Sequence, residues 1–166
     1  MQGDKIEAVL ALAQESTKEW DEAMTRGRVL VDEATRAEAP DRYAERLRLA
    51  VPQFQSAIRI NPARDEGYGW LARTLRLLGQ SIRPRYPENS SQCLRYACAV
   101  VWEGRLKTPA AALSVFTKQE SKALLAWVRL TRRLDPASGE AEMEALRVEF
   151  LTTALRPDTM ASVLGG

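Results

Sequence analysis

Histidine is missing from this 166-residue sequence, and cysteine occurs only twice, at Cys93 and Cys98. Without imidazole, every catalytic dyad or triad that uses histidine as its base is excluded, and a zinc site would depend on cysteine and carboxylate alone. The two cysteines stand on different sides of a helical pattern, so we do not expect a disulfide between them. We predict no metal, no cofactor and no enzyme activity.

Long apolar runs are also missing. No stretch approaches the roughly 20 apolar residues that cross a bilayer, and Met1–Lys5 does not begin a secretory signal. The segment Gly67-Tyr68-Gly69 lacks the lysine and the spacing of a phosphate-binding loop. The composition, 45% hydrophobic and 28% charged, is that of an ordinary folded domain. We therefore expect one cytoplasmic domain over residues 1–166, with no membrane association.

Charge is unevenly distributed, although the net charge is only +2. Residues 1–45 hold 6 basic and 11 acidic side chains, residues 46–134 hold 16 and 5, and residues 135–166 hold 2 and 6. A basic middle block would attract nucleic acid if its arginines shared one surface. Nineteen of the 24 basic residues are arginine, a ratio that an arginine-rich genome would also produce without any function. No helix-turn-helix, zinc-finger or single-strand-binding motif accompanies the basic block.

The amino-terminal half has helical periodicity. Residues 4–37 predict one long helix or two short ones, with Gly27 as a candidate break. Pro40 suits the first turn of a second helix, which continues to Ile60. Pro52 lies inside that helix, so we expect a bend there or a fresh start near Val51.

Residues 50–79 have the most specific spacing in the chain. A helix with small and aromatic residues on one face ends at Asn61-Pro62, and a second helix with a similar face follows directly. The positions concerned are Ala50, Phe54, Ala57, Tyr68, Leu71, Ala72, Leu75 and Gly79. This spacing resembles the second helix of one tetratricopeptide repeat followed by the first helix of the next. The resemblance implies an all-α, right-handed stack of antiparallel helix pairs, built to hold another chain.

The rest of the chain departs from a regular repeat. We expect about seven helices, with an N-terminal helix or helices over 1–39, a repeat-like core over 40–136, and a C-terminal capping helix and tail over 137–166. The prolines and capping residues of 80–91 predict an inserted loop. After it we expect helices near 91–103, over a short segment at 110–116, over 121–134 and over 141–155. In the last two, Ala123, Trp127 and Leu130 share one face, and Leu146, Phe150 and Leu151 point inward.

Candidate binding residues follow from the resemblance, because the first helices of tetratricopeptide repeats line a concave surface. Groove positions hold Arg73 and Arg76, with Trp70 beside them, and the expected loop supplies a second set, Arg83, Arg85 and Tyr86. Guanidinium groups suit carboxylate recognition because they present a planar fork of donors. Alternatively, the helix arginines form a solvated face and the loop residues only keep the loop soluble. The early groove positions hold Glu66 and Gly69, which departs from a carboxylate clamp.

These observations predict a protein–protein interaction module, either an adaptor, an assembly factor or a chaperone-like protein. It would bind a peptide or protein segment, plausibly an acidic one, on a concave helical surface. Self-association is a further expectation, because the terminal units of such stacks need a polar outer face. One alternative is a basic helical domain that binds nucleic acid. A second is a structural oligomeric subunit.

Overall fold

The computed structural model describes residues 2–109, 112–132 and 138–154, and the regular structure in these ranges is helical, with no strand. The all-α expectation is therefore confirmed. The helices are α1 (Gln2–Thr35), α2 (Pro40–Ile60), α3 (Asp65–Ile82), α4 (Pro87–Lys107), α5 (Val115–Arg132) and α6 (Ser138–Ala154). The described residues contain six α-helices where about seven helices were expected, because α1 is continuous. The segment predicted at 110–116 lies partly outside the described residues, and its last two residues, Val115 and Phe116, belong to α5.

The first helix runs unbroken through Gly27. A Cβ atom at this position would lie 2.5 Å from the ring of Phe54 in α2, so the glycine is a site of close helix contact and not a break. Only the second half of α1 packs on the body of the protein, beginning at Trp20. Residues 2–19 are all exposed and form a projecting segment that we call the N-terminal arm.

The second helix pairs with α1 in antiparallel fashion. Arg26 donates to Gln53 at 2.9 Å, and Glu33 forms an ion pair with Arg46 at 3.5 Å. The contact partners in α2 therefore move towards its start as those in α1 move towards its end. Pro40 occupies the first turn, as predicted. The helix neither ends nor restarts at Pro52, which lies inside α2. The lost backbone hydrogen bond costs about 3 kcal/mol, and burial of the neighbouring apolar side chains outweighs it.

The third and fourth helices form the next pair, and the predicted loop over 80–91 is wrong. Helix α3 extends to Ile82 and α4 begins at Pro87, which leaves a turn of residues 83–86. Proline is common in loops, but it is also favoured in the first turn of a helix, and Pro87 lies in the first turn of α4. The two helices pack closely: a Cβ atom at Gly104 would lie 2.6 Å from the Cβ of Tyr68.

The fifth helix begins earlier than predicted. Ser114 precedes it and accepts a hydrogen bond from the amide of Thr117 at 3.2 Å, which caps the helix at Val115. Its buried face carries Leu124 and Val128, whereas Leu130 is 81% exposed, so the face predicted for this helix was rotated from the observed one.

The sixth helix begins at Ser138, close to the predicted start, and Leu146 is buried as expected. The predictions for the side chains of Phe150 and Leu151 and for the tail lie outside the described residues.

The core draws on all six helices, and α3 occupies its centre. Helix α3 contacts α1, α2, α4 and α5, while α6 packs mainly on α4. Within the described ranges, no helix has the length and apolarity that crossing a membrane requires.

Candidate binding groove

One stripe of α3 is only partly covered by the neighbouring helices. Most of this helix is buried, but residues spaced by three or four along one side are only partly covered. They are Glu66, Trp70, Arg73, Leu77 and Gln80, and we call them the open face of α3. The first four are half-buried and Gln80 is exposed, so this face is recessed between its neighbours. Trp70 and Arg73, both predicted as groove residues, lie on it.

Trp70 is held in an aromatic stack that connects three helices. Its ring centroid lies 5.7 Å from that of Phe54 in α2 and 5.0 Å from that of Phe116 in α5, with interplanar angles of 22° and 23°. Such offset stacks add roughly 0.5–1.5 kcal/mol per pair beyond the burial of area. Phe116 was not recognised as a site residue from the sequence, because its segment was assigned to a separate short helix.

Arg73 lies beside this stack. Its guanidinium carbon is 5.6 Å from the ring centroids of both Trp70 and Phe116, within cation–π range. The Nε–H group of Arg73 is buried and has no hydrogen-bond acceptor among the described residues. No ion pair with a described carboxylate is formed either. Arg73 thus combines a cation, two aromatic rings and unused hydrogen-bonding capacity on the open face.

Arg76, the second predicted groove arginine, is engaged within the protein. Its Nε and Nη2 atoms each donate to Glu120 of α5 at 2.9 Å, and the two side chains are only 19% and 7% exposed. This bidentate pair joins α3 to α5 and neutralises the Arg76 charge. Arg76 therefore borders the open face and orders it, while Arg73 supplies the uncompensated charge.

Tyr43 of α2 is a further neighbour of the two arginines. Burial raises the pKa of its hydroxyl, and the nearby charges of Arg76 and Arg73 partly counteract that effect. The hydroxyl therefore stays protonated at neutral pH and is available as a hydrogen-bond donor. In the sequence, Tyr43 belongs to the apolar stripe of the second helix, so its place beside the arginines was not predicted.

The amino-terminal ends of α3 and α5 are joined at one end of this surface. Asp65 accepts hydrogen bonds from the amide and the hydroxyl of Ser114, at 2.9 and 2.6 Å. Burial raises the pKa of Asp65, but the hydrogen bonds from Ser114 and Thr117 outweigh burial, and the net result is a lowered pKa. The ionised carboxylate thus fixes the start of α5 relative to the open face of α3.

The second predicted set lies elsewhere. Arg83, Arg85 and Tyr86 stand in the turn between α3 and α4, all exposed, and Arg85 approaches Asp41 of α2 at 3.4 Å. The structure does not bring them together with Trp70 and Arg73, because the turn faces the start of α2 and the open face borders α5.

Several arginines of the basic middle block are already paired with acidic residues. Besides the Arg76–Glu120 pair, Arg46 meets Glu33 and Arg64 meets Glu66, both at 3.5 Å. Arg64 also covers the ring of Trp20 at 3.5 Å. These contacts place parts of the block on different helices and reduce its net effect on any one surface.

In the described ranges, no group of three or more cysteine, aspartate or glutamate side chains converges on one point where a metal ion could bind.

Comparison with known proteins gives no further identification. No protein-family model matches the chain, and neither a curated protein nor a solved structure matches it.

Proposed function

We propose that this protein is a tetratricopeptide-like interaction module that binds a segment of another protein on the open face of α3. The helix contacts support a stack of helix pairs: α1 packs on α2 and α3 on α4, while α3 contacts α5 and α4 contacts α6. In such a stack, alternate helices lie on the same side, and the first helices of the pairs line one surface. Helix α3 would be the central one of these.

The observation that carries the proposal is the environment of Arg73. A half-buried guanidinium group with a buried, unsatisfied Nε–H gains more from a carboxylate than a fully solvated one does, because part of its desolvation has already occurred. Trp70 and Phe116 beside it are half-buried, so the parts of their rings that lie outside the stack offer apolar contact to the flanking part of a bound chain. An acidic residue next to an apolar or aromatic one is the ligand chemistry that fits.

A direct test compares Arg73→Glu with Arg83→Glu in capture experiments from native cell extract. Both changes reverse one positive charge, but only Arg73 lies on the open face, so Arg83→Glu is the matched control. A photo-crosslinking residue at Leu77, on the same face, would identify the bound segment, and one at Leu49, an exposed residue of α2, would report background. Parallel samples receive nuclease or high salt.

The proposal predicts a protein that survives nuclease, crosslinks at Leu77 and not at Leu49, and is lost with Arg73→Glu only. Synthetic peptides of the crosslinked segment should then bind about tenfold more weakly when their acidic residue is changed to the amide. Equal capture by both variants would refute the open face as the site. Complete loss on nuclease treatment would favour nucleic-acid binding, and a fixed oligomer with no captured partner would favour a structural subunit.

A further inference from the structure

A cleft lies between the start of α2 and the turn that follows α3. Its volume is about 610 Å³, and it is distinct from the open face of α3. Its walls combine apolar and charged side chains from both segments. The residues that matter for its chemistry are Asp41, Ala44, Arg48, Ile82, Arg85 and Tyr86.

Arg48 is the unusual member of the cleft. It is half-buried, its Nε–H is enclosed without an acceptor, and no carboxylate of the described ranges forms an ion pair with it. Because Nε is enclosed, the terminal amino groups are the part of the guanidinium that can reach the cleft. A partly desolvated cation without a counter-charge raises the free energy of the folded protein. An anion bound beside Arg48 would lower that free energy.

The other charged groups of the cleft do not neutralise the charge of Arg48. Asp41 and Arg85 pair with each other at 3.4 Å, and their side chains are 88% and 75% exposed. Such an exposed pair contributes little and is easily rearranged. The cleft therefore has one positive charge in excess, and it belongs to Arg48, the more buried of its two arginines.

The apolar walls indicate what the anion is attached to. Ala44 is half-buried, Ile82 is only 8% exposed, and the ring of Tyr86, which is 54% exposed, stands at the cleft's edge. A bare inorganic ion would leave these surfaces and most of the volume unused. A short hydrocarbon chain or ring would cover them and gain from their burial.

We propose that this cleft binds a small organic acid, with its carboxylate against Arg48 and its hydrocarbon part against Ala44, Ile82 and Tyr86. The planar carboxylate matches the guanidinium group, and the enclosed arginine stem means that little side-chain freedom is lost on binding. The site does not depend on the open face of α3, so either proposal can fail without the other.

The test is a titration of the ¹⁵N-labelled full chain with hexanoate, followed by amide chemical shifts, with 1-hexanol as the uncharged control. We expect saturable shifts confined to the start of α2 and residues 81–86, and no saturable shifts with 1-hexanol. Arg48→Gln should weaken hexanoate binding about tenfold or more, because the charge-assisted contact is lost. Arg83→Gln removes a neighbouring arginine that does not line the cleft, and its affinity should stay within about twofold.

Tyr86→Ala provides a second variant at an exposed position, in case Arg48→Gln perturbs the fold. It should weaken hexanoate binding about threefold or more through lost apolar contact, with unchanged spectra elsewhere. Equal affinity of the wild type for hexanoate and 1-hexanol would overturn the proposal. So would shifts centred away from the cleft, or no saturation by hexanoate at all.

Discussion

At the scale of single residues, glycines determine how closely the helices approach. A side chain at Gly104 would place its Cβ atom 2.6 Å from the Cβ and 2.8 Å from the Cγ of Tyr68. These atoms stand at the root of a fully packed side chain and cannot move without the backbone. Gly104 is therefore required by the contact between α3 and α4, even though glycine weakens a helix by about 1 kcal/mol relative to alanine.

Replacing Gly104 by alanine should destabilise the protein by about 1–3 kcal/mol, because the overlap forces α3 and α4 apart by more than alanine's helix propensity restores. Urea unfolding followed by circular dichroism measures the change. Gly3→Ala is the matched control, since no atom lies within 4 Å of the position where its Cβ would be, and it should leave stability unchanged or slightly raised. Equal stability of the two variants would show that the α3–α4 contact is looser than described.

Asp65 should make stability depend on acid pH. Its pKa is lower in the folded state than the ordinary value of 3.8, so its contribution is fully present above the unfolded pKa and is lost as pH falls through the folded pKa. Unfolding free energy measured from about pH 6 down to about pH 2 should therefore decrease less steeply in Asp65→Asn than in the wild type. Asp4→Asn, on the exposed arm, should leave the slope unchanged. An identical slope in all three proteins would refute this role.

At the scale of elements, the N-terminal arm is helical although none of its side chains is buried by the described body of the protein. Ile6, Val9 and Ala13 continue the face that Trp20 and Met24 bury further along α1, yet Ile6 and Val9 are 61% and 64% exposed. An isolated helical segment of this length is only marginally stable in water. The arm therefore owes its helical structure to propagation from the packed half of α1.

Deleting residues 2–17 should leave the unfolding free energy within about 0.5 kcal/mol of the full chain, since none of these side chains is buried. Extending the deletion to residue 24 removes the buried Trp20 and Met24 and should cost several kcal/mol. Thermal and urea unfolding of the three chains provides the comparison. A large loss from the shorter deletion would mean that the arm is covered in solution.

The N-terminal arm also allows the expected self-association to be tested. Amide hydrogen exchange in the arm should be fast in the isolated chain, because its side chains are not covered by any of the residues that the structure describes. Protection that increases with protein concentration would identify a second copy as the cover. Protection independent of concentration would contradict the exposed arm.

At the scale of the whole molecule, both cysteines report on global unfolding. Cys93 and Cys98 are fully buried. Burial raises the pKa of each thiol to about 12, opposed at Cys93 by the charge of Arg48. Since the thiolate is the reactive form, a disulfide reagent at pH 8 should modify the two slowly and at equal rates, limited by unfolding. Ser16→Cys, on the exposed arm, should add one site that reacts at an ordinary rate. Rapid modification of either native cysteine would contradict the packing.

Sequence reasoning could find the helices but not every surface that they form. The helix ends at Pro40 and Asn61-Pro62 follow from local chemistry, and the buried faces of α2 and α3 follow from periodicity. The pairing of Arg76 with Glu120 could not be foreseen, because 44 residues separate the partners and only the packing of α3 on α5 brings them together. Periodicity likewise cannot distinguish the arm from the buried half of α1, because both carry the same apolar spacing.

The length of α1 also affects how the protein moves through solution. Eighteen residues of helix extend about 27 Å beyond the packed half of α1. The frictional coefficient of a protein depends on its shape as well as its mass. A single chain with this projecting helix should therefore sediment more slowly and elute earlier from a size-exclusion column than a sphere of equal mass. Column elution alone would then overestimate the number of associated chains, whereas light scattering or sedimentation equilibrium measures that number directly.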